Sequence, residues 1–136
     1  MIVRANATAS EQAALTDYIG QAYQLSDIPE IGDILSPVAP VAAWSRAFSE
    51  WGRSNPKPVT AQLERRQMGI IVHLQRLDEE LLWAIAYHHL YIYHTELLSL
   101  HARGQYIKIR GESKDMALFS RQLLAAKAEY LGEEYY

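Results

Sequence analysis

From Ser10 onward, Ala14, Leu15, Tyr18, Ile19, Ala22 and Tyr23 recur at steps of three and four, the spacing that keeps one side of an α-helix apolar. Ser10 can act as its N-cap, and the helix is expected to end near Leu25. Pro29, Gly32, Pro37 and Pro40 then punctuate 26–40 as loop or turns. Pro40 suits the first turn of a second helix with Val41, Trp44, Phe48 and Trp51 on one face and Gly52 as its stop. Pro56 and Pro58 mark 53–58 as a linker. Beyond it, Thr60 caps a segment striped by Leu63, Gln67, Ile70, Ile71, Leu74 and Leu77. Asp78, Glu79 and Glu80 suit the first turn of a new helix, because carboxylates favour the positive end of the helix dipole. Leu81, Leu82, Ile85, Ala86, His89 and Leu90 carry its period toward Tyr93. A short helix from Thr95 follows, with Leu97, Leu98, Leu100 and His101, ending at Gly104. Tyr106, Ile107 and Ile109 alternate with Lys108 and Arg110, a β-prone pattern that predicts a short extended piece at 105–110. Ser113 caps a last helix that buries Met116, Phe119, Leu123, Leu124, Ala126 and Leu131, and Tyr135 and Tyr136 fray beyond it.

The pattern therefore predicts an all-α fold, a small helical bundle. An N-terminal helical region with a proline-rich loop spans 1–52, and a C-terminal helical, helix-turn-helix-like domain spans 59–136 with the extended insertion at 105–110. A length of 136 residues fits one domain or a small domain with an appendage. The absence of cysteine excludes disulfides, a thiol nucleophile and thiolate metal sites. No apolar run approaches the roughly 18 residues of a membrane span, and the start lacks the basic and apolar segments of a signal peptide. A cytoplasmic protein without membrane contact is expected.

Net charge is −3, but the charges are segregated. The first fifty residues set Glu11, Asp17, Asp27, Glu30, Asp33 and Glu50 against Arg4 and Arg46. Arg53, Lys57, Arg65, Arg66 and Arg76 then face only Glu64, and 77–95 carries Asp78, Glu79 and Glu80 alone. From 96 to 127, Arg103, Lys108, Arg110, Lys114, Arg121 and Lys127 outnumber Glu96, Glu112 and Asp115, before the acidic Glu129, Glu133 and Glu134. Two basic segments in an acidic chain can build one basic face, or they can be ordinary solvated surfaces.

Candidate chemistry is sparse. His73, His88, His89, His94 and His101 do not fall on one helix face at ligand spacing, and no carboxylate completes a zincin-like pattern. They read as hydrogen-bonded histidines in an aromatic helix, with a histidine-based metal enzyme as the competing reading. No Gly-x-Ser-x-Gly elbow and no phosphate-cradling glycine loop is present, so neither an enzyme nor a cofactor is expected. Trp83, Tyr87 and Tyr91, spaced by four, form an aromatic stripe that fits either a central core helix or a homodimer interface.

The C-terminal order is that of a DNA-reading unit: a scaffold helix at 78–93, a short helix at 95–103, a connection and a longer basic helix at 113–131. The connection at 104–112 exceeds the usual three to four residues of such a turn. The run HLQRLDEELLWAIAYHHLY, within 70–91, resembles the helix that precedes the motif in region-4-like sigma-factor domains and in the similar phage late-gene antitermination proteins of the Q type. SRQLLAAKAEYLGEEY (120–135) is similar to their recognition helix, and FSEWGR (48–53) to the tryptophan-glycine element of small phage antiterminators. The resemblance implies a phage or prophage transcription regulator that binds double-stranded DNA near a late promoter and engages host RNA polymerase for antitermination. Ser120, Arg121 and Lys127 match the basic side of the recognition helix, and Arg103 the phosphate-contacting end of the helix before it. Lys108, Arg110 and Lys114 join this nucleic-acid-binding set on charge alone. The acidic N-terminal region is the candidate polymerase-facing surface. The alternative is a small acidic protein–protein interaction module, or an inhibitor of a host complex, without DNA binding; its abundant tyrosines suit an interface.

Overall fold

Ala61 and Leu63, then Ile70, Val72 and Leu74, then Leu81, Trp83 and Ile85 recur at every second residue, and they line the core-facing side of three antiparallel strands. The computed structural model describes residues 1–4, 8–24, 34–48, 58–77 and 79–132. Its strands are β1 (Ile2–Arg4), β2 (Ala39–Trp44), β3 (Thr60–Arg65), β4 (Gly69–Arg76), β5 (Glu79–Ala86), β6 (Tyr91–His94), β7 (Leu97–Ala102) and β8 (Gln105–Arg110). Among the described residues two helices accompany them, α1 (Ala9–Ile19) and α2 (Lys114–Leu131).

The strands form one eight-stranded antiparallel sheet in the order β1-β5-β4-β3-β2-β8-β7-β6. Two meanders, β3–β5 and β6–β8, meet at β2. That strand pairs with β3 through Ala39 and Pro40, then continues along β8 with a register shift between Val41 and Ala43. A shift of this kind bends a strand and sharpens its twist. The inner faces of both meanders share one core: Leu63, Val72 and Trp83 join Leu98, Leu100, Ile107 and Ile109, closed by Phe48 and by Met116, Phe119 and Leu123 of α2. On the other face, Leu15 and Ile19 of α1 pack with Val3, Ile71 and Ala84. β4 and β5 are thus buried on both faces.

The all-α bundle is overturned. Strands replace the helices expected over 60–77 (β3 and β4), 78–93 (β5 and β6) and 95–104 (β7), and the helix expected from Val41 is β2 followed by a 3-10 turn at Arg46–Phe48. The helix-turn-helix-like unit goes with them, because α2 is preceded by the strands β6, β7 and β8 where that unit would place its helices. A strand buried on both sides loses its polar alternation and becomes a continuous apolar run, such as Ile70–Ile71–Val72, which fits a helical period equally well. Three local readings coincide with the structure. α1 lies where the first helix was expected, although Thr8 and Glu11 form its capping box and Gly20 ends it. β8 occupies 105–110, as a paired strand of the sheet rather than an insertion. Ser113 caps α2 by accepting from the Met116 amide at 3.1 Å. Most of the proline loop, the 53–58 linker up to Pro58, Trp51, Gly52 and the terminal tyrosines lie outside the described residues. Among the described residues, no helix is long and apolar enough to cross a membrane.

Candidate nucleic-acid interface

Strand alternation decides which side chains of the second meander reach solvent. Ile107 and Ile109 of β8 and Leu98, Leu100 and Ala102 of β7 enter the core, and Ile92 of β6 packs against it. Tyr106, Lys108 and Arg110, then Leu97, Ser99 and His101, then Tyr91 and Tyr93 therefore occupy the outer face, and of these only Ser99 is buried. Register brings their rings together across three strands. His101 lies opposite both Tyr91 and Tyr106. Its ring meets Tyr93 edge-on at 5.4 Å between centroids and stacks on Tyr106 at 5.6 Å with an interplanar angle of 28°. Lys108 Nζ lies 5.8 Å from the Tyr106 centroid, and Lys127 Nζ of α2 lies 5.1 Å from that of Tyr91. Both separations permit a cation–π attraction. Tyr91 and Tyr93 stay more than half exposed, at 57 % and 56 %.

This face gathers part of the basic set read from the sequence. Lys108 and Arg110 lie on it and Lys127 flanks it; Arg110 also pairs with Glu112 at 3.6 Å. Arg103 sits at the tip of the β7–β8 hairpin that carries His101 and Tyr106. Lys114 and Arg121 are exposed on the side of α2 away from Met116, Phe119 and Leu123. Ser120 is buried: its hydroxyl donates to the Ala117 carbonyl at 2.9 Å and lies 3.2 Å from His94 Nδ1, so it has no surface to offer a ligand. The ring ladder was missed, because Tyr93, His101 and Tyr106 become neighbours only through strand pairing. Period-two alternation at 91–94 and 105–110 was its signal.

The proposed aromatic stripe does not share one face. Trp83 packs edge-on against Phe48 in the core at 5.1 Å. Tyr87 sits in a 3-10 turn, donates its hydroxyl to the Arg66 carbonyl at 3.1 Å and meets Tyr130 of α2 at 5.6 Å. Only Tyr91 of the three is open to solvent.

Of the remaining histidines, His88 and His89 set their rings against each other at 4.0 Å, and His73 and His94 are committed to structure. His73 on β4 joins Glu64 of β3 through Nε2 at 2.8 Å and Glu80 of β5 through Nδ1 at 2.9 Å. Arg66 pairs with Glu64 and donates to the Gly20 carbonyl at the end of α1 at 2.8 Å. Burial alone would lower the His73 pKa, but hydrogen bonds to both carboxylates, and their charges, outweigh it and hold the imidazole above its ordinary value. Burial likewise pushes Glu64 upward, and the bonds from His73 and Arg66 reverse this, leaving it below the usual carboxylate range. With both ring nitrogens engaged, His73 acts as a cross-strand staple and presents no free nitrogen to a substrate. His94 Nε2 donates to the Gly111 carbonyl at 3.0 Å, tying β6 to the entrance of α2. Among the described residues, no group of three or more His, Asp or Glu side chains is arranged to hold a metal ion.

Comparison with known protein families, characterised proteins and solved structures finds no match to this chain.

Proposed function

We propose that this is a cytoplasmic nucleic-acid-binding protein that holds a single strand across the outer face of β6, β7 and β8. The observation that carries the reading is the Tyr93–His101–Tyr106 ring ladder flanked by Lys108 and Lys127. Unstacked bases offer π-faces to such rings, and lysines beside them reach the phosphates. A duplex keeps its bases stacked on one another, and with the helix-turn-helix gone no helix pair supports reading its major groove. Binding to a single strand is compatible with antitermination, the process implied by the sequence resemblance, since the transcript leaving RNA polymerase is such a strand. The acidic net charge supports a modest electrostatic share. With about three phosphate contacts, from Lys108, Arg110 and Lys127, log affinity should fall against log salt with a slope of roughly −2.

Fluorescence anisotropy with labelled oligodeoxythymidine, oligouridine and a duplex of equal length tests this. Binding of one or both single strands in preference to the duplex is expected, with at least a tenfold loss in a Tyr93→Ala, Tyr106→Ala double variant. Preference for duplex, an unaltered double variant or no binding at all would reject the reading. The last result would return the aromatic face to a protein partner.

A further inference from the structure

The β7–β8 hairpin turns through Arg103 and Gly104, whose φ angles are +51° and +82°. Two-residue hairpin loops with both central residues at positive φ favour Asn-Gly, because the short Asn side chain tolerates the left-handed conformation. A long branched-charge residue gains nothing from that geometry, so its presence there calls for another explanation. The turn overhangs a cleft of about 240 Å³ lined by Ile2, Tyr18, Trp83, Ile85, His89 and Arg103, among others. That space exceeds the roughly 150 Å³ that admits a benzene ring. Among the described residues no carboxylate lines it, and Arg103 forms no ion pair within bonding distance. Desolvation first, and then the charges of His88, Arg103 and the N-terminal ammonium, hold the His89 imidazole below its ordinary pKa.

We propose that this cleft is a second binding site, independent of the aromatic sheet face, that takes a small organic anion with its phosphate or carboxylate head on Arg103 and its flat apolar body against Ile2 and Tyr18. Guanidinium suits both heads, since its planar fork can donate two parallel hydrogen bonds to either. The apolar lining selects against a bare inorganic ion, and the cationic rim against a neutral ring.

Calorimetry and thermal melting of the full chain with phenyl phosphate, benzoate, inorganic phosphate and phenol test the site. One or both of the first two should bind and raise Tm, at least tenfold more tightly than inorganic phosphate or phenol; the tighter of the two identifies the head group. Two variants separate charge from backbone. R103Q keeps a long side chain in the left-handed turn and should weaken binding at least tenfold with little change in Tm. R103N should weaken binding equally while melting no lower than the parent, because Asn relieves the turn. Unchanged affinity in R103Q and R103N, equal binding of phenol, or no binding of either phenyl anion would overturn the proposal.

Discussion

Gly69→Ala distinguishes the sheet from the helical reading by the sign of its effect. In the interior of an exposed helix, replacing Gly by Ala stabilises by about 1 kcal/mol. Here Gly69 opens β4 opposite Ala86 of β5, and an added Cβ would fall 2.1 Å from the Ile85 carbonyl oxygen, 2.9 Å from Ala86 Cα and 2.9 Å from Ile19 Cγ2. Two of these neighbours are backbone and the third belongs to α1, so the methyl group can be admitted only by prising β4 from β5 or lifting the helix. Overpacking of this kind costs about 1–3 kcal/mol, and the lower entropy of the unfolded Ala chain returns about 0.4–1 kcal/mol. A net destabilisation of about 1–2 kcal/mol is expected, or a Tm fall of roughly 3–7 °C for a domain of this size. Gly104→Ala is the control. Nothing lies within 4 Å of its added Cβ, so any loss there reports the positive φ alone. Urea unfolding with an unchanged m-value would assign the loss to stability. A Gly69→Ala protein as stable as the parent, or more stable, would refute the close approach of α1, β4 and β5.

The His73 staple gives stability a two-sided pH dependence. A raised His73 pKa contributes fully below its unfolded value, about 6.5, and is lost as pH rises through the folded value; the lowered Glu64 pKa contributes above about 4.3 and is lost as pH falls through its folded value. The stability difference between the parent and His73→Gln, measured by urea unfolding, should therefore be largest between those limits and shrink toward alkaline pH; a difference flat from pH 5 to 9 would contradict the assignment. Ser113→Ala removes the α2 cap and should cost about 1 kcal/mol in the same assay, and a loss under a few tenths would mean the cap contributes nothing.

What the sequence disclosed follows from the range of each interaction. α2 was legible because its cap and its buried positions Met116, Phe119 and Leu123 lie within a few turns of one another. β8 was legible because one of its faces is polar, so Lys108 and Arg110 alternate visibly with Ile107 and Ile109. β4 and β5 were not. α1 covers Ile71 and Ala84 while the central core covers Val72 and Trp83, which erases the alternation that would have marked them as strands. The four-residue spacing of Trp83, Tyr87 and Tyr91 misled for a different reason: a 3-10 turn at Tyr87–His89 separates two strands there. At the candidate site, the charges of Lys108 and Arg110 could be found by inspection. The ladder could not, because its rings come from positions 93, 101 and 106 and meet only once β6, β7 and β8 are in register. Of the stretches that carried the resemblance to antitermination proteins, 73–91 runs through strands β4 to β6 rather than a helix, and although 120–131 is helical in α2, Ser120, its match on the recognition helix, is buried against His94.

The most direct test of the central claim is a map of where a single strand touches the protein. Backbone amide chemical shifts followed while oligodeoxythymidine or oligouridine is added should move first and most at Tyr91, Tyr93, His101, Tyr106 and Lys108, with Lys127 alongside and the exposed side of α2 around Lys114 and Arg121 unchanged. Shifts centred on Lys114 and Arg121, or none on the outer face of β6–β8 at saturating oligonucleotide, would contradict the account.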